Sequence, residues 1–156
     1  MPGRETSTTP KRSTAHHRFL SVATAHRLSN RWIQAKSRAI ELVDDLEETL
    51  GDLDVPISIT LNGCPNSCAR TQVADIGFKG QTLTDEDGNR IEGFQVHLGG
   101  AMGLNADFGK KLRGHKVKAT EVTEYVTRVV TNFKDQRQPG EQFRDWILRA
   151  DDEDLS

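Results

Sequence analysis

Cysteine is nearly absent from these 156 residues, which contain two, Cys64 and Cys68. A single pair cannot build the disulfide framework of a small secreted domain, so a reducing cytoplasm is the default compartment. Aromatic residues are sparse at 6%, and a hydrophobic share of 35% supports one globular domain with a modest core. No apolar run reaches the roughly 18 residues of a membrane span, which argues against a membrane protein. Positive charge is not in excess either: the formal net charge of -2 argues against a strongly basic nucleic-acid binder. A phosphate-binding loop is also missing. The one glycine cluster, Gly99-Gly100-Ala101-Met102-Gly103, has neither the G-x-G-x-x-G spacing nor a Lys-Ser/Thr ending.

What remains is the stretch Asn62-Gly63-Cys64-Pro65-Asn66-Ser67-Cys68-Ala69-Arg70, which holds both thiols. Pro65 suits the first turn of a helix, because its φ is fixed and its missing N–H would be unpaired there anyway. Such a turn would put Cys64 and Cys68 at i and i+4 on one face, with Cβ atoms roughly 5–6 Å apart. Two thiolates at that separation can hold neighbouring irons of one cluster, and the N–H groups of a first turn favour thiolate over thiol. By itself, C-x3-C equally allows a strained disulfide or two inert buried thiols.

The flanking residues narrow the choice. The run Ile59 to Gly80, ITLNGCPNSCARTQVADIGFKG, resembles the second cysteine pair of the siroheme-dependent nitrite and sulfite reductases, and the similarity continues to about Ala150. In that family a C-x5-C pair and a later C-x3-C pair together hold a 4Fe-4S cluster, and the last cysteine bridges to the siroheme iron. The resemblance implies that Cys64 and Cys68 are cluster ligands, that Cys68 is the thiolate shared with siroheme, and that Arg70 contacts a siroheme carboxylate. It also implies that Gly63 lets backbone approach the cluster, that Asn66 helps close the ligand loop, and that Gly99 to Gly103 form a wall beside siroheme. One feature departs from the family: no C-x5-C occurs in this chain, so two of four cluster ligands are present.

Around the motif the chain divides by composition. Residues 1–29 carry Arg4, Lys11, Arg12, Arg18 and Arg27 against one acid, Glu5, among many Ser and Thr, and are expected to be a disordered tail. A plastid transit peptide is the alternative for such a composition. His16 and His17 are read as solvated. Apolar residues at helical spacing, Trp32, Ile33, Ala39, Ile40, Val43, Leu46 and Leu50, predict a helix over 30–50, capped by Asn30 and ended by Gly51. The positions where a first cysteine pair would precede this helix read His26-Arg27-Leu28-Ser29-Asn30, so the resemblance breaks off near Trp32 to Lys36.

Val55 to Leu61 alternates as a half-buried strand that delivers the chain to Cys64. Ile76 to Leu83 and Ile91 to Leu98 flank Asp85-Glu86-Asp87-Gly88-Asn89 as a β-hairpin. His97 is read as a strand histidine with a satisfied hydrogen bond. The basic run Lys110, Lys111, Arg113, His115, Lys116 and Lys118 is a solvated face, with cofactor carboxylates or an acidic electron donor as its functional alternatives. Thr120 caps a helix that buries Val122, Tyr125, Val126, Val129, Val130 and Phe133, and Gln138-Pro139-Gly140 breaks it. A last amphipathic helix carries Phe143, Trp146, Ile147 and Ala150, and 151–156 form a frayed acidic end.

The expected architecture is α+β: a small, mainly antiparallel sheet with packed helices, over a partial reductase domain at 30–150. The resemblance implies the C-terminal segment of a ferredoxin-type enzyme that reduces sulfite to sulfide or nitrite to ammonium by six electrons, with sulfite the nearer by overall likeness. No catalytic residue is assigned, and the isolated chain is expected to hold no stable cluster or siroheme. The first cysteine pair would come from the upstream part of the reductase or from a partner chain, with a ferredoxin-like electron donor. A truncated or frameshifted gene product, one half of a split enzyme, and a small interaction module are the three forms such a chain can take.

Overall fold

The structure, a computed structural model, describes residues 19–24, 35–51, 53–103 and 106–156, with only the backbone described at 19–24, 35–37, 113 and 114. Five strands lie side by side in chain order: β1 (Phe19–Thr24), β2 (Ile57–Asn62), β3 (Ile76–Thr84), β4 (Arg90–Leu98) and β5 (Lys110–Lys118). β1 pairs with β2 and β2 with β3 in parallel, whereas β3–β4 and β4–β5 are antiparallel. The class is α+β with packed helices, as expected, but the sheet is mixed, half its pairings being parallel. Alternation along a strand reveals burial, not the direction of a neighbour, and so could not distinguish the two.

The antiparallel half follows local chemistry. Asp85 carboxylate oxygens accept the Asn89 backbone N–H (2.7 Å) and side-chain amide (3.3 Å), closing the polar turn. The hairpin it closes pairs Ile76 with Leu98 through to Thr84 with Arg90. The basic run is the edge strand β5, where lysines also discourage edge-to-edge pairing. β5 slips register between Gln95 and His97, and the Gln95 amide donates to the carbonyls of Leu112 (2.8 Å) and His115 (3.1 Å) inside that bulge.

Helices α1 (Ala35–Leu50) and α2 (Val122–Gln136) share one core with the sheet. The α1 stripe is Ala39, Leu42, Leu46 and Leu50, all buried, with Ile40 58% exposed. The stripe expected from sequence includes Ile40 and omits Leu42; at about 100° per residue, Leu42 lies on the arc of Leu46 and Leu50. Asn30, Trp32 and Ile33 lie outside the described residues. Gly51 follows the last helical residue, and a Cβ there would stand 2.5 Å from the Glu47 carbonyl oxygen. The predicted α2 face is buried at every position named. Thr120 does not cap it: a 3-10 turn, Ala119–Glu121, leads in, with no side-chain cap.

Two expectations fail at the ends. Phe19–Thr24, inside the stretch expected to be a disordered tail, forms β1, so the sheet begins well before Asn30; residues 1–18 and 25–34 lie outside the described residues. Six residues set among Ser, His and Arg gave too little pattern to be read as a strand. The acidic end is not frayed. After α3 (Phe143–Arg149) comes α4 (Asp152–Leu155), in which Leu155 is fully buried and its carbonyl accepts the Tyr125 hydroxyl at 2.7 Å. The Asn132 amide donates to the Asp154 carbonyl at 2.9 Å. Acidic composition hid one apolar anchor and its backbone partners.

Candidate metal centre

Parallel neighbours need a crossover, and one of these crossovers carries the cysteines. Residues 63–75 leave the C-terminal end of β2 and return to the start of β3 without an α-helix. The expected helical turn at Pro65 does not form. Turns at Pro65-Asn66 and Cys68-Ala69 are separated by Ser67, whose φ of 54° is left-handed, as is that of Arg70 at 54°. A right-handed turn cannot run through such a residue, so Cys64 and Cys68 are not i and i+4 on one helical face. Cys64 is buried and Cys68 is exposed; both are free thiols, which removes the disulfide alternative.

Hydrogen bonds and missing side chains hold this irregular segment. The Asn62 side-chain oxygen accepts the buried N–H of Ala69 at 2.7 Å, tying the residue after Cys68 to the end of β2. The N–H of Arg70 donates to the Ser67 carbonyl at 2.9 Å, and the Ser67 and Thr71 hydroxyls share a hydrogen bond of 3.1 Å. Further on, the Asp75 carboxylate accepts from the Ser58 N–H (2.9 Å) and hydroxyl (2.6 Å). Burial raises the Asp75 pKa above its ordinary range, and the Ser58 hydrogen bonds only partly offset it.

Three glycines let the segment lie flat against its neighbours. A Cβ on Gly77 would fall 1.9 Å from the Thr71 carbonyl oxygen, one on Gly80 2.6 Å from the Gly63 carbonyl carbon, and one on Gly100 2.4 Å from the Gln72 carbonyl oxygen. The glycine-rich loop is joined to the crossover by backbone bonds from Gly99 to Asp75 (2.8 Å), Gly100 to Ala74 (3.0 Å) and Gly109 to Gln72 (2.7 Å). The structure therefore places Gly63 and the cysteine turn beside Gly80 past the C-terminal end of β2, whereas the loop after Gly99 meets residues 72–75 at the other end of the crossover, by the start of β3. Arg70 is exposed after the cysteine turn. Asn66 is exposed as well, and closure of the loop falls instead to Asn62, Ser67 and Thr71.

Comparison with known proteins agrees with the motif. The family model for the nitrite and sulphite reductase 4Fe-4S domain matches residues 18–155. The chain belongs to that family. A sulfite reductase (ferredoxin) of Mycobacterium tuberculosis (strain ATCC 25618 / H37Rv) is 55% identical over 126 residues, covering 78% of this chain and 23% of that protein. A ferredoxin–nitrite reductase of Synechococcus elongatus is 46% identical over 79 residues, covering 51% of this chain and 15% of that protein. The solved structure of Mycobacterium tuberculosis NirA protein superposes with a TM-score of 0.80 at 50% identity, covering 87% of this chain and 26% of that one. The chain thus spans about a quarter of the length of the sulfite reductase it matches, and less of the nitrite reductase. The family match starts at residue 18, upstream of Trp32 where the resemblance was expected to break off, and takes in β1.

Membership of the nitrite and sulphite reductase 4Fe-4S family implies a 4Fe-4S cluster and siroheme as prosthetic groups, and the donor set tests the fit. A cluster of four irons takes four thiolates. Among the described residues two are present, and no group of three or more His, Cys, Asp or Glu side chains converges. The residues fit half of a cluster site. They offer one exposed thiol, one buried thiol and a loop of close-packed backbone whose position is over-determined.

Sequence reasoning missed Asn62, Gly77 and Gly80 as parts of this site. A signal was available for the glycines. Two of them three residues apart inside one strand mark close approach of another backbone.

Proposed function

We propose that this chain is the C-terminal fragment of a ferredoxin-dependent sulfite or nitrite reductase and contributes Cys64 and Cys68 as one half of the cluster ligand set, with Arg70 directed to a siroheme carboxylate. The observation that carries the reading is the crossover itself. Two free thiols of unequal exposure stand on a loop fixed by glycine contacts, in a chain that matches about a quarter of its relatives. Sulfite is favoured as substrate, because the sulfite reductase relative is the more identical and is matched over the longer stretch.

When bound, the cluster and siroheme would supply the electron transfers of the reduction. The residues of this chain bind and orient. Cys64, which is buried, and Cys68, which is exposed, would offer two thiolates, and the first cysteine pair has to be supplied by the upstream part of the reductase or by a partner chain. Ser67 and Asn62 hold the Cys68-Ala69 turn in place without a metal. A ferredoxin would be the electron donor to the assembled enzyme. Alone, the chain has too few ligands to retain a cluster and is inactive.

The test is co-expression of the full chain with the portion of a relative that carries the first cysteine pair, followed by assay of iron, acid-labile sulfide and siroheme absorbance in the purified material. The expected result is cofactor in the complex and none in the chain alone, with loss on Cys64→Ser or Cys68→Ser. Equal cofactor content without either thiol overturns the proposal.

A further inference from the structure

Phe108 is 76% exposed and Met102 71%, which makes them the two most exposed large hydrophobic side chains among the described residues. Single apolar residues on a surface are ordinary, but these two share one short ribbon between β4 and β5. Ala101 and Asp107 exchange both backbone hydrogen bonds at 3.1 Å, and that bridge closes the ribbon. Antiparallel pairing sets Met102 opposite Ala106, itself exposed, and diagonal to Phe108, within reach of a long or aromatic side chain on the same side.

The ribbon is fixed on both flanks. On one, the Arg144 guanidinium of α3 donates to the Asp107 carboxylate at 3.1 Å, and Ile147 of α3 lies so close to Gly99 that a Cβ there would stand 2.9 Å from its Cγ2 methyl. On the other, the Gly109 N–H donates to the Gln72 carbonyl at 2.7 Å and the Gly100 N–H to the Ala74 carbonyl at 3.0 Å, so Phe108 stands one residue from a contact with the crossover. Held there, Met102 and Phe108 do not fold back onto the core. A rigid ribbon that keeps a phenyl ring and a thioether in water is not rewarded by the folding of this chain alone.

What lies outside this chain supplies the cover. The family match takes in the ribbon, yet the matched region is 23% of the sulfite reductase relative, which leaves about three quarters of such a protein elsewhere. A body that brings a first cysteine pair to Cys64 and Cys68 has to lie along the crossover. From the cysteine turn beside Gly80 to the ribbon beside Ile76 is about 13 Å, four residues of β3, a length that a standard interface of about 800 Å² per partner spans. Permanent interfaces are anchored by aromatic and Met side chains, whereas a transient electron donor is met through charge and a smaller, wetter contact.

We propose that the ribbon carrying Met102 and Phe108 is the anchor by which this chain docks on the remaining body of the reductase, with Phe108 seated in an apolar pocket of that body. The identity of the partner rests on the function proposed above. The contact itself uses neither thiol, and it holds the two parts together without a cofactor.

The test immobilises the full chain, co-expressed with the upstream portion of the sulfite reductase relative, and follows release of that partner. Phe108→Ala should release it about thirtyfold faster, as for a central aromatic anchor, and Met102→Ala several-fold faster. Ile40→Ala, on the exposed side of α1, should leave the rate unchanged, and Cys64→Ser/Cys68→Ser should keep the partner while losing iron and sulfide. A second measurement needs no substitution: hydrogen peroxide should convert Met102 to the sulfoxide at least about tenfold more slowly in the complex than in the chain alone, read by peptide mass. Release rates indifferent to Phe108 and Met102, or Met102 oxidised equally fast in the complex, overturn the anchor, and capture of iron and sulfide by the same complex would leave the half-site reading standing. Phe108-dependent retention of a partner that brings no iron, sulfide or siroheme does the reverse, sinking the half-site reading and supporting the anchor. A chain that retains no upstream portion overturns the proposal, and self-association lost on Phe108→Ala would then assign the patch to a second copy.

Discussion

The cysteine crossover and the helical cap are attached to the same core by opposite means. The cap is held by volume: Phe133, Phe143 and Trp146 are buried with ring centroids 5.2 to 5.8 Å apart, and Leu155 closes its far side. The crossover is held by the lack of volume, with backbone seated over Gly77, Gly80 and Gly100 and pinned by single hydrogen bonds. A cap of that kind collapses when atoms are removed, whereas a crossover of this kind is displaced when atoms are added. The difference suits a ligand loop, because it can be set to sub-ångström precision without burying the thiol that has to remain accessible.

The comparison breaks most visibly in the cap. Phe133→Ala should destabilise the whole fold by about 3–5 kcal/mol in urea denaturation, since the cavity lies among aromatic neighbours that cannot close over it. Leu155→Ala should cost less, about 2–3 kcal/mol, because α4 is short and peripheral and can partly collapse. A loss near zero would restore the frayed end expected from composition. Gly77→Ala, which places a methyl against the Thr71 carbonyl, should cost about 1–3 kcal/mol, with a different signature. The loop lifts off locally, so Cys64 should react with a thiol reagent nearly as fast as Cys68. In the unaltered chain Cys68 reacts first, being the exposed thiol. If Gly77→Ala left Cys64 reacting as slowly as in the unaltered chain, the crossover would not be seated as described.

The smallest effect is a pH dependence. His97 and His115 both have pKa values held below the ordinary 6.5, chiefly by burial, with Lys79 and Lys111 contributing at the first and Arg128 at the second. The unfolded chain takes up protons near pH 6.5 and the folded chain takes them up lower, so this stability is full above pH 6.5 and is lost as pH falls below it. Asp75 works the other way. Its raised pKa means that the folded state keeps a proton the unfolded state releases, and its share of stability grows as pH falls towards 3.8. Urea midpoints should therefore decline as pH falls below 6.5, with the Asp75 contribution opposing the decline at more acidic pH. His97→Gln and His115→Gln should flatten the first limb, and a limb unchanged by both would refute the assignment.

Local order was legible from the chain alone. The hairpin turn at Asp85–Asn89, the buried face of α2 from Val122 to Phe133 and the pairing of Cys64 with Cys68 as ligand candidates each rest on residues within a few positions of one another, where periodicity and turn chemistry act directly. The family resemblance extended that reading to the cofactors. What only the tertiary structure decided depends on residues far apart in sequence. β1 exists because Phe19–Thr24 finds an edge on β2. Ser67 and Arg70 turn left-handed because the crossover has to return in parallel across Gly77 and Gly80. Leu155 is anchored because Tyr125 waits for its carbonyl, and His97 is left short of a partner because β3 brings a glycine and β5 a lysine, neither with a side-chain acceptor, to its row. Propensity is a property of neighbours in the chain. Burial, strand direction and an unpaired nitrogen are properties of neighbours in space.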